Sequence, residues 1–383
     1  MSVTAAKGFT AAGIAAGIKE NGNPDLALVV NNGPRLAAAG VFTSNRVKAA
    51  PVLWSEQVLK GGLVSAVVLN SGGANACTGP KGFQDTHATA EKVADVLSVN
   101  AGEVAVASTG LIGVTLPMDK LLPGVEKAAG ELSAHGGEKA AIAIKTTDSV
   151  HKTSVVTKDG WTVGGMAKGA GMLAPGLATM LVVLTTDADL ESAVLDRALR
   201  DATRLTFDRV DSDGCMSTND TVLLLASGAA DVTPEYAEFA DAVREVCDDL
   251  GRQLIGDAEG ASKDIKVEVV NAASEADAVE VGRSIARNNL LKCALHGEDP
   301  NWGRVLSAIG TTSAAFEPNE LNVAINGVWV CRNGSVGEDR ELVDMRYREV
   351  VITADLAAGA ETATIWTNDL TADYVHENSA YSS

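Results

Sequence analysis

Apolar residues in this chain fall into short continuous runs separated by stretches with helical spacing. Runs at residues 26–30, 66–69 and 104–107 have the length and composition of buried strands. Residues 88–96 and 118–132 carry helical content between or after them. Residues 180–185 predict a further strand, followed by a helix whose apolar stripe is Leu190, Val194, Ala198, Ala202 and Leu205. Ser274, with Asp277 three residues on, predicts the N-cap of another helix, which presents Ala278, Val281 and Ile285 on one face. Strands return at 321–325, 350–353 and 362–366. This alternation predicts an α/β protein. No short-period repeat, low-complexity tract or Pro/Ser-rich linker marks a module boundary.

Composition narrows the class. With 383 residues, 46% of them hydrophobic and 21% charged, the chain can bury one large core or two ordinary ones. Lys and Arg total 31 against 50 for Asp and Glu, a formal net charge of −19 that argues against nucleic acid or an anionic membrane as partner. Cys77, Cys215, Cys247, Cys293 and Cys331 form no CxxC pair, so neither a zinc knuckle nor a disulfide framework is expected, and the thiols should be reduced and mostly buried. The first residues hold Lys7 and Lys19 and no sustained apolar stretch, and no run of about 18 apolar residues occurs, so a cytoplasmic location is expected.

Chemistry concentrates in polar, glycine-containing loops that interrupt the apolar pattern. In KGAGMLAPGLATML (168–181), a glycine-rich loop and a proline lead directly into Ala178, Thr179 and an apolar strand. A threonine hydroxyl needs an adjacent base to become a nucleophile. Cutting the Ala178–Thr179 bond would supply one, because the new α-amine, with a pKa of about 8, would sit beside the hydroxyl of the same residue. The plainer reading is that Thr179 merely starts a buried strand. NSGGANACTG (70–79) is a tight turn or a point of close backbone approach. STGLIG (108–113) sets a hydroxyl beside a glycine amide at Thr109 and Gly110, the donor pair an oxyanion hole requires. TTDS (146–149) reads by default as a turn or helix cap, and DAEGASK (257–263) as a solvated helix end.

Residues 207–222 resemble a calcium loop through Asp211, Asp213 and Gly214, but Val222 stands where a bidentate carboxylate is needed. Asn219 and Thr221 form a glycosylation sequon of little meaning in a cytosolic protein. The tail HENSAYSS reads as a frayed terminus. Walker, Rossmann, HExxH and GxSxG patterns are absent, and no histidine is paired in sequence with a nucleophile. A nucleophile carrying its own base is the economical solution.

The segments VTAAKGFTAAGIAAGIK, NSGGANACTG, ASTGLIG, TTDS, GGMAKGAGML, LATML, STNDTV, DAEGASK, DPNWGRV and ENSAYSS occur in this order over essentially the whole chain. In them the chain resembles the bifunctional ornithine acetyltransferase / N-acetylglutamate synthase family of arginine biosynthesis. The resemblance implies a mixed-sheet layered α/β fold of the self-cleaving acetyltransferase/aminopeptidase type. It further implies a cut between Ala178 and Thr179, giving an α-subunit of residues 1–178 and a β-subunit of residues 179–383 within one compact unit, assembled as two α and two β chains. Thr179 would be the nucleophile, Thr109 and Gly110 the oxyanion hole, and Thr146, Lys168, Thr179, Glu259, Asn378 and Ser383 the substrate contacts. The substrates implied are N-acetylornithine and glutamate, with acetyl-CoA a further acetyl donor in some members. No metal or other cofactor is implied.

Where many relatives carry serine and asparagine around the loop, this chain has Ala170, Gly176 and Leu177, positions that shape the loop rather than react. Cys215 and Met216 stand where others have small or polar residues, a packing variation. Two rival readings share the same residues: an N-terminal-threonine amidase or aminopeptidase that passes its acyl group to water, and a non-catalytic acidic binding or assembly protein with structural glycine loops.

Overall fold

The computed structural model describes residues 2–174 and 180–380. Pro175 to Thr179 and Tyr381 to Ser383, and with them the expected cut, the nucleophile and the Ser383 contact, lie outside the described residues. The described residues form two compact units, one drawn from residues 2–208 and 215–257, the other from 209–214 and 258–380.

In the first unit the chain runs through β1 (Phe9–Ile14), β2 (Leu26–Asn31), β3 (Ala37–Phe42), α1 (Ala50–Leu59), β4 (Ala66–Ser71), α2 (Gly79–Leu97) and β5 (Val104–Thr109). It continues through α3 (Met118–Gly130), α4 (Gly137–Ala143), β6 (Lys152–Thr157), β7 (Thr162–Lys168), β8 (Leu181–Thr186), α5 (Ser192–Leu205), β9 (Thr221–Ala226) and α6 (Tyr236–Gly256). Two mixed sheets result, of orders β1-β2-β4-β5 and β3-β9-β8-β7-β6. Only β4·β5 in the first and β8·β9 in the second are parallel pairs.

Both faces of these strands are covered, which is why they read as continuous apolar runs rather than as alternations. In β2, Ala27 and Val29 point inward to meet Met166, Leu181, Val183, Leu223 and Leu225 of the other sheet. Leu26, Leu28 and Val30 point the opposite way, onto Val93 of α2 and Leu121 and Val125 of α3. Helices α5 and α6 cover the outer face of the second sheet. The unit is therefore layered helix, sheet, sheet, helix.

The second unit holds β10 (Asp264–Ala272), α7 (Glu275–Ala286), α8 (Asn289–His296), α9 (Trp302–Ile309), β11 (Asn322–Ile325), β12 (Val328–Arg332), β13 (Ser335–Val336), β14 (Glu349–Asp355), β15 (Glu361–Asn368) and α10 (Ala372–Ala380). Its sheet runs β13-β12-β11-β14-β10-β15. β10 buries alternate residues, Ile265, Val267 and Val269, against Ala278, Val281 and Ile285 of α7. That helix starts as expected, with the Ser274 hydroxyl accepting the Asp277 N–H at 3.1 Å.

The mixed-sheet layered α/β expectation is met, and four local expectations are corrected. Leu190 precedes α5 and Leu205 is 39% exposed, so the buried stripe runs instead through Leu195, Ala198, Leu199 and Ala202. Cys77, Cys215 and Cys293 are exposed, and only Cys247 and Cys331 are buried. The tail expected to fray is helical as far as Ala380. DAEGASK does follow the end of α6 but is only partly solvated: Glu259 and Lys263 are buried, Lys263 donating to the carbonyls of Met345 at 2.5 Å and Tyr347 at 3.0 Å. Among the described residues no helix is long and apolar enough to cross a membrane.

A glycine sets the distance between β7 and α6. A Cβ at Gly165 would lie 2.7 Å from Leu184 Cδ2 and 3.1 Å from both Leu250 Cδ1 and Val246 Cγ1. Gly165→Val should therefore overpack this layer and cost about 1–3 kcal/mol, read as a lower urea midpoint with an unchanged slope. An unchanged midpoint would show that the layer spacing is not set here.

Candidate active site

β4 and β5 run parallel and end together, with Ser71 opposite Thr109. The glycines that follow let their loops close on each other: the N–H groups of Gly72 and Gly73 both donate to the Thr109 carbonyl, at 2.9 and 3.0 Å. Gly110 has φ of +131°, and a Cβ on it would meet Gly73 N at 2.5 Å. Only glycine fits there, which settles the role of the adjacent glycines in NSGGANACTG: they allow close backbone approach.

Asn219 ties these loops to the second sheet. Its Nδ2 donates to the carbonyls of Ala74 at 2.6 Å and Ser108 at 2.8 Å, and its side chain is buried. The sequon asparagine is thus a structural clamp. Next to it, the fully buried Asp220 accepts the Met180 N–H on Oδ1 at 3.0 Å, and its Oδ2 has no partner among the described residues. Burial pushes this carboxyl well above the usual carboxylate range, against the Met180 N–H, the Ser217 hydroxyl and the Lys168 charge.

Lys168 closes β7 and pairs in register with Leu181, the first residue of β8. Its Nζ donates to Thr109 Oγ1 at 3.2 Å, and both residues are buried. An ammonium only donates, so Thr109 is the acceptor in that bond and its own hydroxyl proton remains to be donated. Three of the expected site residues, Thr109, Gly110 and Lys168, thus come together, from β5, its following turn and β7.

Thr146 joins them through Asp148. The carboxylate of Asp148 accepts the Thr146 N–H at 3.0 Å on Oδ2, and on Oδ1 the Gly169 N–H at 2.6 Å and Lys152 Nζ at 2.7 Å. Lys152, fully buried, also donates to Asp257 Oδ2 at 2.6 Å. Asp257 in turn accepts the Ser149 N–H at 3.1 Å. TTDS is therefore a turn, as the default reading had it, but one wrapped around a buried ion network. Burial alone would raise the Asp148 carboxyl, yet Lys168, Lys152 and the Gly169 N–H outweigh it and hold it at about 2. Lys19 borders the same region. Its Nζ donates to the carbonyls of Lys145 at 2.6 Å and Pro24 at 3.1 Å, and burial lowers its pKa despite Asp25.

Glu259 and Asn378 belong to the second unit. Glu259 lines a cavity of about 150 Å³ with Asp213, Lys292, Asp369 and Tyr374. Asn378 lies on the exposed side of α10, its Nδ2 donating to the Tyr374 carbonyl at 3.0 Å. A larger groove of about 490 Å³ between α1, β3 and α5 contains none of the expected site residues.

The second unit also gathers Ser262, His296 and Asp369, a grouping the sequence hid. His296 meets both partners through one nitrogen, Nδ1, at 3.1 Å to Ser262 Oγ and 2.9 Å to Asp369 Oδ2. A relay needs the acid and the nucleophile on opposite ring nitrogens. Ser262 instead donates its proton to Asp369. Among the described residues no cluster of three or more His, Cys, Asp or Glu could hold a metal ion.

Lys19, Asp148, Asn219 and Asp220 were not singled out as site residues from sequence. The only signal was their place inside TTDS, STNDTV and the N-terminal segment.

Asp148 makes a signed pH prediction. Its folded pKa of about 2 lies below the ordinary value, so its contribution is complete above about pH 5 and is lost as pH falls toward 2. The amount is about 2 kcal/mol. In urea unfolding, the stability gap between wild type and Asp148→Asn should narrow over that window. A gap independent of pH would contradict the assignment.

Comparison with known proteins bears on what such a site does. The ArgJ family pattern matches residues 10–383. The chain is 89% identical over 383 residues to the arginine biosynthesis bifunctional protein ArgJ of Streptomyces avermitilis, covering 100% of each. Identity to the protein of that name from Thermobifida fusca is 63% over 382 residues, again covering 100% of each. Identity to that from Mycobacterium tuberculosis is 58% over 389 residues, covering 100% of this chain and 96% of the relative. The crystal structure of ornithine acetyltransferase complexed with ornithine from M. tuberculosis matches with 62% identity and a TM-score of 0.45, covering 47% of this chain and 96% of that one. On the family match and the full-length identities, this chain belongs to the ArgJ family.

Proposed function

We propose that the chain is a self-processing acetyltransferase of arginine biosynthesis, moving the acetyl group of N-acetylornithine to glutamate through Thr179. One observation carries the reading: Leu181, two residues after Thr179, stands opposite Lys168, whose ammonium touches the Thr109 hydroxyl. The strand that Thr179 leads into thus begins beside the expected oxyanion donors. The family's relatives, named for arginine biosynthesis, and the M. tuberculosis structure, named for ornithine acetyltransferase, support the same substrates.

In this mechanism the α-amine of Thr179 takes the proton from its own hydroxyl, and the oxygen attacks the acetyl carbonyl. Thr109 and Gly110 donate to the developing oxyanion. The amine of ornithine leaves with a proton, and glutamate then attacks the acetyl ester to regenerate the hydroxyl. One amide is exchanged for another, so neither nucleotide nor metal is required. Self-cleavage uses the same hydroxyl on the Ala178 carbonyl, leaving an ester that water opens. It yields residues 1–178 and 179–383, which assemble as two chains of each kind in the cytoplasm.

Lys168 has the charge to pair with the substrate carboxylate and Glu259 the charge to hold its amine, with Thr146, Asn378 and Ser383 as further contacts. Acetyl-CoA as a second acetyl donor for glutamate belongs to the same reaction class.

Thr179→Ala should leave one full-length species in denaturing mass spectrometry and abolish acetyl transfer. Thr109→Ala should retain substrate binding and lose about 10²–10³ in kcat. Full activity in an uncut chain would overturn the processing step. Acetate release without N-acetylglutamate would identify an amidase instead, and neither product would leave a binding protein.

A further inference from the structure

Asp148 does more than balance a buried lysine. Lys152 has a second carboxylate, Asp257 at 2.6 Å, whereas the remaining bonds of Asp148 all go to the segments that carry Thr146 and Lys168. Gly169 directly follows Lys168, so the bond to its N–H fixes the peptide on which the Lys168 side chain is mounted. We propose that Asp148 is a positioning residue for acetyl transfer, orienting the Lys168 ammonium and the Thr146 peptide around the Thr109 hydroxyl. The inference deepens the acetyltransferase reading and rests on it.

Two segments distant in sequence supply expected substrate contacts, and a single carboxylate only 6% exposed binds the backbone of both. The coupling is also electrostatic. The charges of Lys168 and Lys152 both hold Asp148 ionised, and a charge–charge interaction of this kind is mutual. Among the described residues, Lys19, which disfavours the ammonium form of Lys168, and the titratable, buried Asp220 also face Lys168. Because Lys168 donates to Thr109 Oγ1, its charge strengthens Thr109 as a donor toward an oxyanion. A line of alternating charge thus runs from Lys152 through Asp148 and Lys168 to the Thr109 hydroxyl.

The test compares wild type, Asp148→Asn, and the double variant Asp148→Asn with Lys152→Met, which removes one charge of each sign from the network and so leaves Lys152 no unpaired ammonium. Acetyl transfer from N-acetylornithine to glutamate is followed from about pH 6 to about pH 10. Asp148→Asn should lower kcat/KM by about tenfold or more, chiefly through KM, and move the alkaline limb of the profile to lower pH as Lys168 loses its partner. The double variant should show the same losses, and rates normalised to the folded fraction by circular dichroism keep the outcome readable where a variant folds poorly. A double variant with wild-type kcat/KM and an unmoved alkaline limb would overturn the proposal, reducing Asp148 to the counter-ion of Lys152. Absence of transfer in the wild type would refute the acetyltransferase reading itself, a distinct outcome.

Discussion

The buried carboxylate of Asp148 is the constraint on which the site depends. It sits between two lysines and accepts backbone N–H groups from two segments, and the charges around it outweigh the cost of its burial. Removing one partner from such a network costs far more than the network contributes, about 3–5 kcal/mol, because a charge is stranded in a low dielectric. The TTDS turn, the end of β7 and the start of the glycine-rich loop are therefore held as one body.

Around that body the scaffold solves a problem of convergence. An oxyanion site needs a hydroxyl and an amide at one point, with the nucleophile arriving from elsewhere. Two sheets packed face to face bring separate strands to one point, β5 delivering Thr109 from one and β7 delivering Lys168 from the other. The Asn219 amide fastens the two together by satisfying carbonyls of both glycine loops. Parallel pairing of β8 with β9 places Met180 and Asp220 side by side at the same end.

Much of this framework was legible in the sequence because burial on both faces leaves a continuous apolar run, as in β2, β4 and β5. Ser274 was legible because a cap is a local bond over three residues. The α5 stripe was misplaced because Val194 and Leu205 share helical spacing with residues that are buried, and spacing alone does not say where the stripe ends. Thr109, Gly110 and Lys168 could be named from motifs and are brought together by the fold. Asn219 could not be weighed because its partner lies far away in sequence, at Ala74 across 145 residues, and Asp148 because nothing in TTDS shows that the turn is buried against Gly169 and Lys168. A polar residue in a motif does not announce whether it will be solvated or buried and paired.

Thr179 is the acetyl carrier in the proposed reaction, and every other assigned role depends on it. The most direct measurement is mass spectrometry of the purified protein after brief exposure to N-acetylornithine without glutamate, followed by acid quench. Transfer through Thr179 requires that the fragment beginning at Thr179 gain one acetyl group on that residue and lose it when glutamate is added. An unmodified fragment during active turnover, or an acetyl group on another residue that glutamate removes, would contradict it.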